Sequence, residues 1–311
     1  AANINFRDEM AQFLGVANAP CSWGVLEHES DSERPQFGQV LDEIAEAGYT
    51  GTELGNIGFL PADPDELRSE LYDRDLQLVA CFNVVNLSDP ELGYLGDQQA
   101  LENAKLLAEV AGQNGIVILC DSIATDPTRL EYAGRIQPEQ VMEQGVWEHA
   151  AQVANQIATQ VLETTGLRTA YHPHCATYVE TPQEVEVLME ITHPHVLGLC
   201  VDTAHYSFGG GDPAQLIRRY GERVWHVHYK GFNANLAAEA RIREMNYREA
   251  IDLGVFSELN ESHIDFGVIT ESLEDIGYEG WIVVEQDTYP GKGHPLESAK
   301  RNRDFLKGLG I

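Results

Sequence analysis

Lysine is nearly missing from this chain: only Lys105, Lys230, Lys292, Lys300 and Lys307 occur in 311 residues. Basic side chains number 20 against 50 acidic ones, for a formal net charge of −30. A surface this negative repels phosphate backbones and anionic headgroups, so neither nucleic acid nor a membrane surface is expected as a partner. Acid-rich, lysine-poor surfaces suit concentrated salt, where screening acts within a few ångströms. A high-salt cytoplasm and an ordinary acidic surface both account for the imbalance.

Other absences narrow the class further. No apolar run reaches the roughly 18 residues that span a bilayer, and the first residues lack the basic-then-apolar pattern of an export signal, so a soluble cytoplasmic protein is expected. Cys21, Cys81, Cys120, Cys175 and Cys200 are odd in number and contain no CxxC pair. Neither a disulfide framework nor a cysteine zinc knuckle is signalled, which fits a reducing compartment. No G-x-G-x-x-G follows the first apolar run, which argues against a dinucleotide-binding sheet. The stretch FGGGDP from Phe208 lacks the Lys and Ser/Thr of a phosphate loop and reads as a loop ahead of an Asp-capped, Pro-started helix.

What is present is an alternation. The composition, 43% hydrophobic and 8% aromatic, is that of an ordinary globular protein. Eight short β-rich runs begin near Phe13, Thr50, Leu76, Gly115, Leu167, Val196, Arg223 and Gly280. Helical spacing fills the segments between them, often opened by Asp-Pro or Thr-Pro and closed by Gly. Strands apolar on both faces and separated by helices pair in parallel, and eight such units closing on themselves make a (β/α)8 TIM barrel. Barrels of this kind reach this length as one domain, so residues 1–311 are expected to form a single TIM-barrel domain.

In such a barrel the reactive groups stand where strands end. Polar residues appear at each of these ends: Trp23, Glu53, Asn83, Asp121, His172 with His174, Asp202 with His205, His228 with Lys230, and Glu285. Asp202, His228 and Glu285, from three successive runs, offer the mixed oxygen and nitrogen set that suits a divalent cation, Mn²⁺ or Co²⁺ ahead of Mg²⁺ or Zn²⁺. One of His172 and His174 can complete a four-ligand shell while the other faces substrate. In RVWHVHYKG from Arg223, His226, His228 and Lys230 alternate and so share one face of a strand. That column would rise from a supporting histidine through a ligand to a cation near a substrate oxygen. Glu285 and His174 are candidate bases, and His205, Lys230 and Glu53 are candidates for the leaving group or oxyanion. Trp23 is a candidate for stacking on a sugar face, and Asn83 for binding a hydroxyl. Lys292, in YPGKGHP, reads as an exposed loop cation.

At these residues the chain resembles the xylose isomerase-like TIM barrels, the superfamily of sugar isomerases, tagatose 3-epimerase-like enzymes and inosose dehydratases, and within it the inosose dehydratases most. APCSW from Ala19, GTELG from Gly51, YHPHCAT from Tyr171, the DTAHYSFGGGDP stretch from Asp202, HVHYKG from His226 and GWIVVE from Gly280 carry the resemblance, in the family's order and spacing. The chain departs from the pattern at Pro173 for His, Ala204 for Gly, Gly231 for Asp, and in QDTYPG after Glu285. In epimerase-type relatives the fifth-strand ligand immediately precedes a Pro, so the resemblance implies His172 as the fourth ligand beside Asp202, His228 and Glu285, with His174 on the substrate side. It implies a metal-dependent lyase that removes water from a keto-polyol resembling 2-keto-myo-inositol, through a metal-stabilised enediolate, as in inositol catabolism. A keto-sugar epimerase or isomerase of the tagatose 3-epimerase type, or a lyase or hydrolase of 3-keto-glycosides, would share that enediolate. The expected partner is a small keto-sugar or inosose, and a homo-oligomer is left open. The superfamily's abasic-site endonucleases need a basic groove, which the charge balance opposes.

Overall fold

The computed structural model describes residues 12–26, 34–91, 97–287 and 293–311; Lys292 and the loop before it lie outside them. Its strands are β1 (Gln12–Asn18), β2 (Gly51–Glu53), β3 (Gln77–Val84), β4 (Ile116–Cys120), β5 (Arg168–Tyr171), β6 (Leu197–Asp202), β7 (Val224–Tyr229), β8 (Gly231–Phe232), β9 (Phe256–Ser257) and β10 (Glu279–Val284). Strands β1 to β7 and β10 pair in parallel in chain order, and β10 returns to β1 to close an eight-stranded barrel. This is the expected (β/α)8 fold.

The sequence explains the closure. Strands β4, β6 and β7 are buried along their whole length because barrel interior covers one face and helices cover the other. Helices begin where Asp or Thr precedes Pro. Asp63, Asp126, Thr181 and Asp212 each accept first-turn backbone N–H groups, and proline takes the next position, where no N–H is needed. The FGGGDP stretch fits this scheme: a Cβ on Gly209 would lie 2.4 Å from the Glu180 carbonyl oxygen, so close packing on the backbone, rather than phosphate, accounts for that glycine.

Two regions differ from the sequence expectation. The helical run from Pro138 is divided into a 3-10 turn, Pro138–Gln140, and a long helix, Gln144–Thr165, that ends on left-handed Gly166. Val141 between them is extended. After β7 the chain makes an excursion that periodicity did not reveal. Strands β8 and β9 form a two-residue antiparallel ribbon, and helices Ala234–Ile242 and Tyr247–Leu253 fold over it. Phe208, Phe232, Tyr247 and Phe256 pack there as a satellite core. The ribbon accounts for Gly231, since a Cβ would stand 2.3 Å from the Ser257 carbonyl oxygen. Among the described residues, no helix is long and apolar enough to cross a membrane.

Parallel register sets the next level. Asp202 pairs with His228 across β6 and β7, and His228 pairs with Val283 across β7 and β10. The last residues of three neighbouring strands therefore arrive at one height.

Candidate active site

The site is built upward along β7, where alternation turns His226, His228 and Lys230 to one side; all three are buried. Glu53, at the end of β2, reaches across the barrel. Its Oε1 lies 2.8 Å from His226 Nε2 and 2.7 Å from His228 Nε2. An ionised carboxylate only accepts, so both Nε2 atoms carry hydrogen. Burial pushes the Glu53 carboxyl up, but the charge of His228 and the two hydrogen bonds outweigh it and bring it down to about 2.

With Nε2 held by Glu53, the other nitrogen of His228 faces the next layer. His228 Nδ1 is 3.2 Å from Glu285 Oε2 and 3.7 Å from Asp202 Oδ2. His172 Nε2 lies 3.5 Å from the same Asp202 oxygen. Lys230 Nζ is 3.4 Å from Asp202 Oδ2, 3.1 Å from Glu285 Oε2 and 3.0 Å from Asp287 Oδ1. Three carboxylates therefore share one ammonium. Burial opposes charge on Lys230, but Asp202, Asp287 and Glu285 hold its ammonium well above the ordinary lysine range. Burial likewise opposes ionisation of Asp202 and Glu285, yet the neighbouring cationic groups pull both carboxyls down.

The donor set fits a divalent cation. Ligand atoms of Asp202, His228 and Glu285 all lie within 4.8 Å of one another. Asp202 gives Oδ1 to the backbone N–H groups of Ala204 and His205, whereas its buried Oδ2 and His228 Nδ1 have no hydrogen-bond partner. His228 Nδ1, turned on two carboxylates, must hold a proton or a cation; burial opposes charge on this ring, but with no ion bound the surrounding carboxylates keep His228 well above the ordinary histidine range, and a divalent cation would take the place of that proton.

Beside this cluster stand two imidazoles in close contact, tilted 33° to one another. The rings of His174 and His205 are 3.7 Å apart, centroid to centroid. One residue sets both tautomers. The Cys175 N–H donates to His205 Nδ1 at 3.2 Å, and the Cys175 carbonyl lies 2.6 Å from His174 Nδ1, which must donate to it. His205 thus accepts at Nδ1 and His174 donates from Nδ1, both through the Cys175 peptide. Burial, with the Lys230 ammonium nearby, holds His205 well below the ordinary histidine range.

Not every sequence candidate joins the group. The Asn83 amide donates to the Cys81 and Ile118 carbonyls at 3.2 and 3.1 Å, and its oxygen accepts from Asn103 at 2.8 Å, so the side chain is committed to the seam between barrel and helix. The Trp23 indole donates to Glu43 at 2.6 Å and packs in the main core. Asp287 was not anticipated. It lies two residues past Glu285, and the same alternation that revealed Lys230 above His228 would have pointed to it.

The model of the xylose isomerase-like TIM barrel matches residues 41–309. The chain belongs to that family. It is 31% identical over 305 residues to an inosose dehydratase of Geobacillus kaustophilus, covering 94% of each chain. Against the rhizopine catabolism protein MocC of Rhizobium meliloti it is 30% identical over 301 residues, covering 94% of this chain and 87% of the other. A solved L-ribulose 3-epimerase superposes with a TM-score of 0.68 at 15% identity, over 96% of this chain and 94% of that one, which is a likeness of fold.

Proposed function

We propose that the protein is a divalent-metal-dependent lyase that removes water from a keto-polyol of the 2-keto-myo-inositol type. The observation that carries the reading is the convergence of Asp202, His228 and Glu285, with Asp202 Oδ2 and His228 Nδ1 lacking hydrogen-bond partners, beside His174 and His205, both oriented by the Cys175 peptide. The similarity to inosose dehydratase over nearly the whole chain supports the substrate class. Asp202, His228, Glu285 and His172 would hold the ion, Mn²⁺ or Co²⁺ ahead of Mg²⁺ or Zn²⁺. Once bound, it would draw electron density from a keto oxygen and make the neighbouring C–H acidic.

The remaining work belongs to the side chains. His174, whose Nδ1 donates to the Cys175 carbonyl, would take the α-proton, and Glu285 is the second candidate base. The Nε2–H of His205 would hydrogen-bond the departing hydroxyl without losing its proton, and the α-proton taken by the base would leave with that hydroxyl as water. Lys230, anchored by Asp287 at 3.0 Å, stabilises negative charge on the reacting oxygens. Glu53 takes no proton from substrate on this reading; it fixes the orientation of His228 through Nε2.

Incubation of the Mn²⁺-loaded protein with 2-keto-myo-inositol is expected to produce the ultraviolet absorbance of a conjugated dione. No absorbance there, together with solvent hydrogen exchange into a ketohexose, would replace dehydration with epimerisation at the same site.

A further inference from the structure

Beneath the charged cluster the barrel interior holds a second set of donors of a different chemical kind. Cys200 stands two residues below Asp202 on β6, and parallel register sets it beside His226 as Asp202 is beside His228. Its side chain belongs to the interior cluster with Ala80, Ile118 and Ala170 and is fully buried. Ligand atoms of His172, Cys200 and His228 lie within 4.8 Å of one another. This set is a sulfur and two nitrogens, whereas Asp202, His228 and Glu285 above it offer two oxygens and a nitrogen. No step of the proposed reaction uses the thiol.

Two atoms at this level are buried without a hydrogen-bond partner, His172 Nδ1 and Asp202 Oδ2. Asp202 Oδ2 lies 3.5 Å from His172 Nε2 and 3.7 Å from His228 Nδ1. Neighbouring donors of a tetrahedral ion with bonds of about 2.0–2.3 Å stand roughly 3.3–3.8 Å apart, so this oxygen is placed to join the two imidazoles as a fourth donor. Thiolate and imidazole are the donors that Zn²⁺ and its heavier congener Cd²⁺ favour, while carboxylate oxygens suit Mn²⁺. A nitrogen lone pair binds one ion, and both sets draw on His228. Filling one set therefore denies the other its ligand.

We infer that His172, Cys200 and His228, with Asp202, form an inhibitory site for a thiophilic divalent ion of the Zn²⁺ class, which seats one layer below the Mn²⁺ position and excludes that ion. On binding, the Cys200 thiol loses its proton to solvent and the sulfur gives an electron pair to the metal. The binding half of this inference stands on the donors alone. The inhibition rests on the lyase reading, because it acts by taking His172 and His228 from the ion that the reading requires.

The test is titration of the Mn²⁺-loaded protein with Cd²⁺, which gives an ultraviolet charge-transfer band when it binds a thiolate, while released Mn²⁺ is followed by electron paramagnetic resonance. Wild type is expected to develop the band up to about one Cd²⁺ per chain and to release about one Mn²⁺ for each Cd²⁺ bound. Cys200→Ser should lose the band, and Cys200→Ala serves where that variant does not fold. Cys21→Ser should keep it; Cys21 is the competing thiol, since it groups with Glu285 and Asp287. Zn²⁺ should release Mn²⁺ from Cys200→Ala only at about tenfold higher concentration than from wild type. No band, a band that survives loss of Cys200 or needs Cys21, Cd²⁺ bound without release of Mn²⁺, or equal competition by Zn²⁺ in the variant overturns the site. Turnover of 2-keto-myo-inositol by the Mn²⁺-loaded protein is read separately. Turnover with no Cys200-dependent band sinks this site alone, and a Cys200-dependent band without turnover sinks the lyase reading alone.

Discussion

Two buried ionic groups lie on loops of the same barrel end, and they are assembled on opposite principles. Around Arg129 the charges balance. The guanidinium grips Glu184 through both terminal nitrogens, and Glu184 also accepts from the backbone of Glu180 and Thr181. Nearby Glu180 divides its oxygens between the N–H groups of Gly134 and Ala176. Around Lys230 the charges do not balance, since Asp202, Glu285 and Asp287 share one ammonium and polar atoms stay without hydrogen bonds. Burial of charge is costly in both places. A group in which nearly every lone pair has a partner fixes loops, whereas one left incomplete in the protein alone has room in its charge balance for a ligand.

The sharpest way to break this comparison is to unbalance the balanced group. Arg129→Met leaves Glu184 buried without its cation and should lower the unfolding free energy by about 3–5 kcal/mol in urea titration, with metal content of the folded protein unchanged. An equal loss of metal would show that the two groups are not separable.

The next effect is in pH. Burial raises the Glu180 carboxyl to about 7, against 4.5 in the unfolded chain. The folded state therefore binds more protons at this group than the unfolded state between these values, and the stability Glu180 contributes is fully present below pH 4.5 and is lost as pH rises through 7. The fall attributable to this group reaches about 3 kcal/mol. Glu180→Gln should flatten that slope across the window, measured by denaturant titration at pH 4.5, 6 and 7 and compared with wild type. An unchanged slope would remove Glu180 as its source.

A smaller change is expected beneath the unbalanced group. Glu53→Ala removes the acceptor shared by His226 and His228 and should weaken metal affinity by about 10–100-fold in a competition titration with a chelator. Unchanged affinity would contradict the orienting role.

These differences follow what a sequence can and cannot display. The barrel was legible because eight buried strands and Pro-capped helices repeat at regular spacing, and the ligand candidates were legible because Asp202, His228 and Glu285 each stand within one residue of a strand end. His226, His228 and Lys230 sort into levels by simple alternation. The excursion over the β8–β9 ribbon was not legible, because two-residue strands and short helices have no periodicity to read; their evidence is packing, as at Gly231. Asn83 stands near the end of β3 and Trp23 in the 3-10 turn after β1, yet contacts with Asn103 and Glu43 on the outer helices take up their polar groups. The tautomers of His174 and His205 depend on a single peptide unit, which composition cannot reveal.

The central claim is that the incomplete group around Asp202 is a cation site. Elemental analysis of the purified protein and of Asp202→Ala, after both are loaded with Mn²⁺ and desalted, tests it most directly. The account predicts about one divalent ion per wild-type chain and essentially none in the variant, with both proteins folded. Equal metal in the two, or none in either, would contradict it.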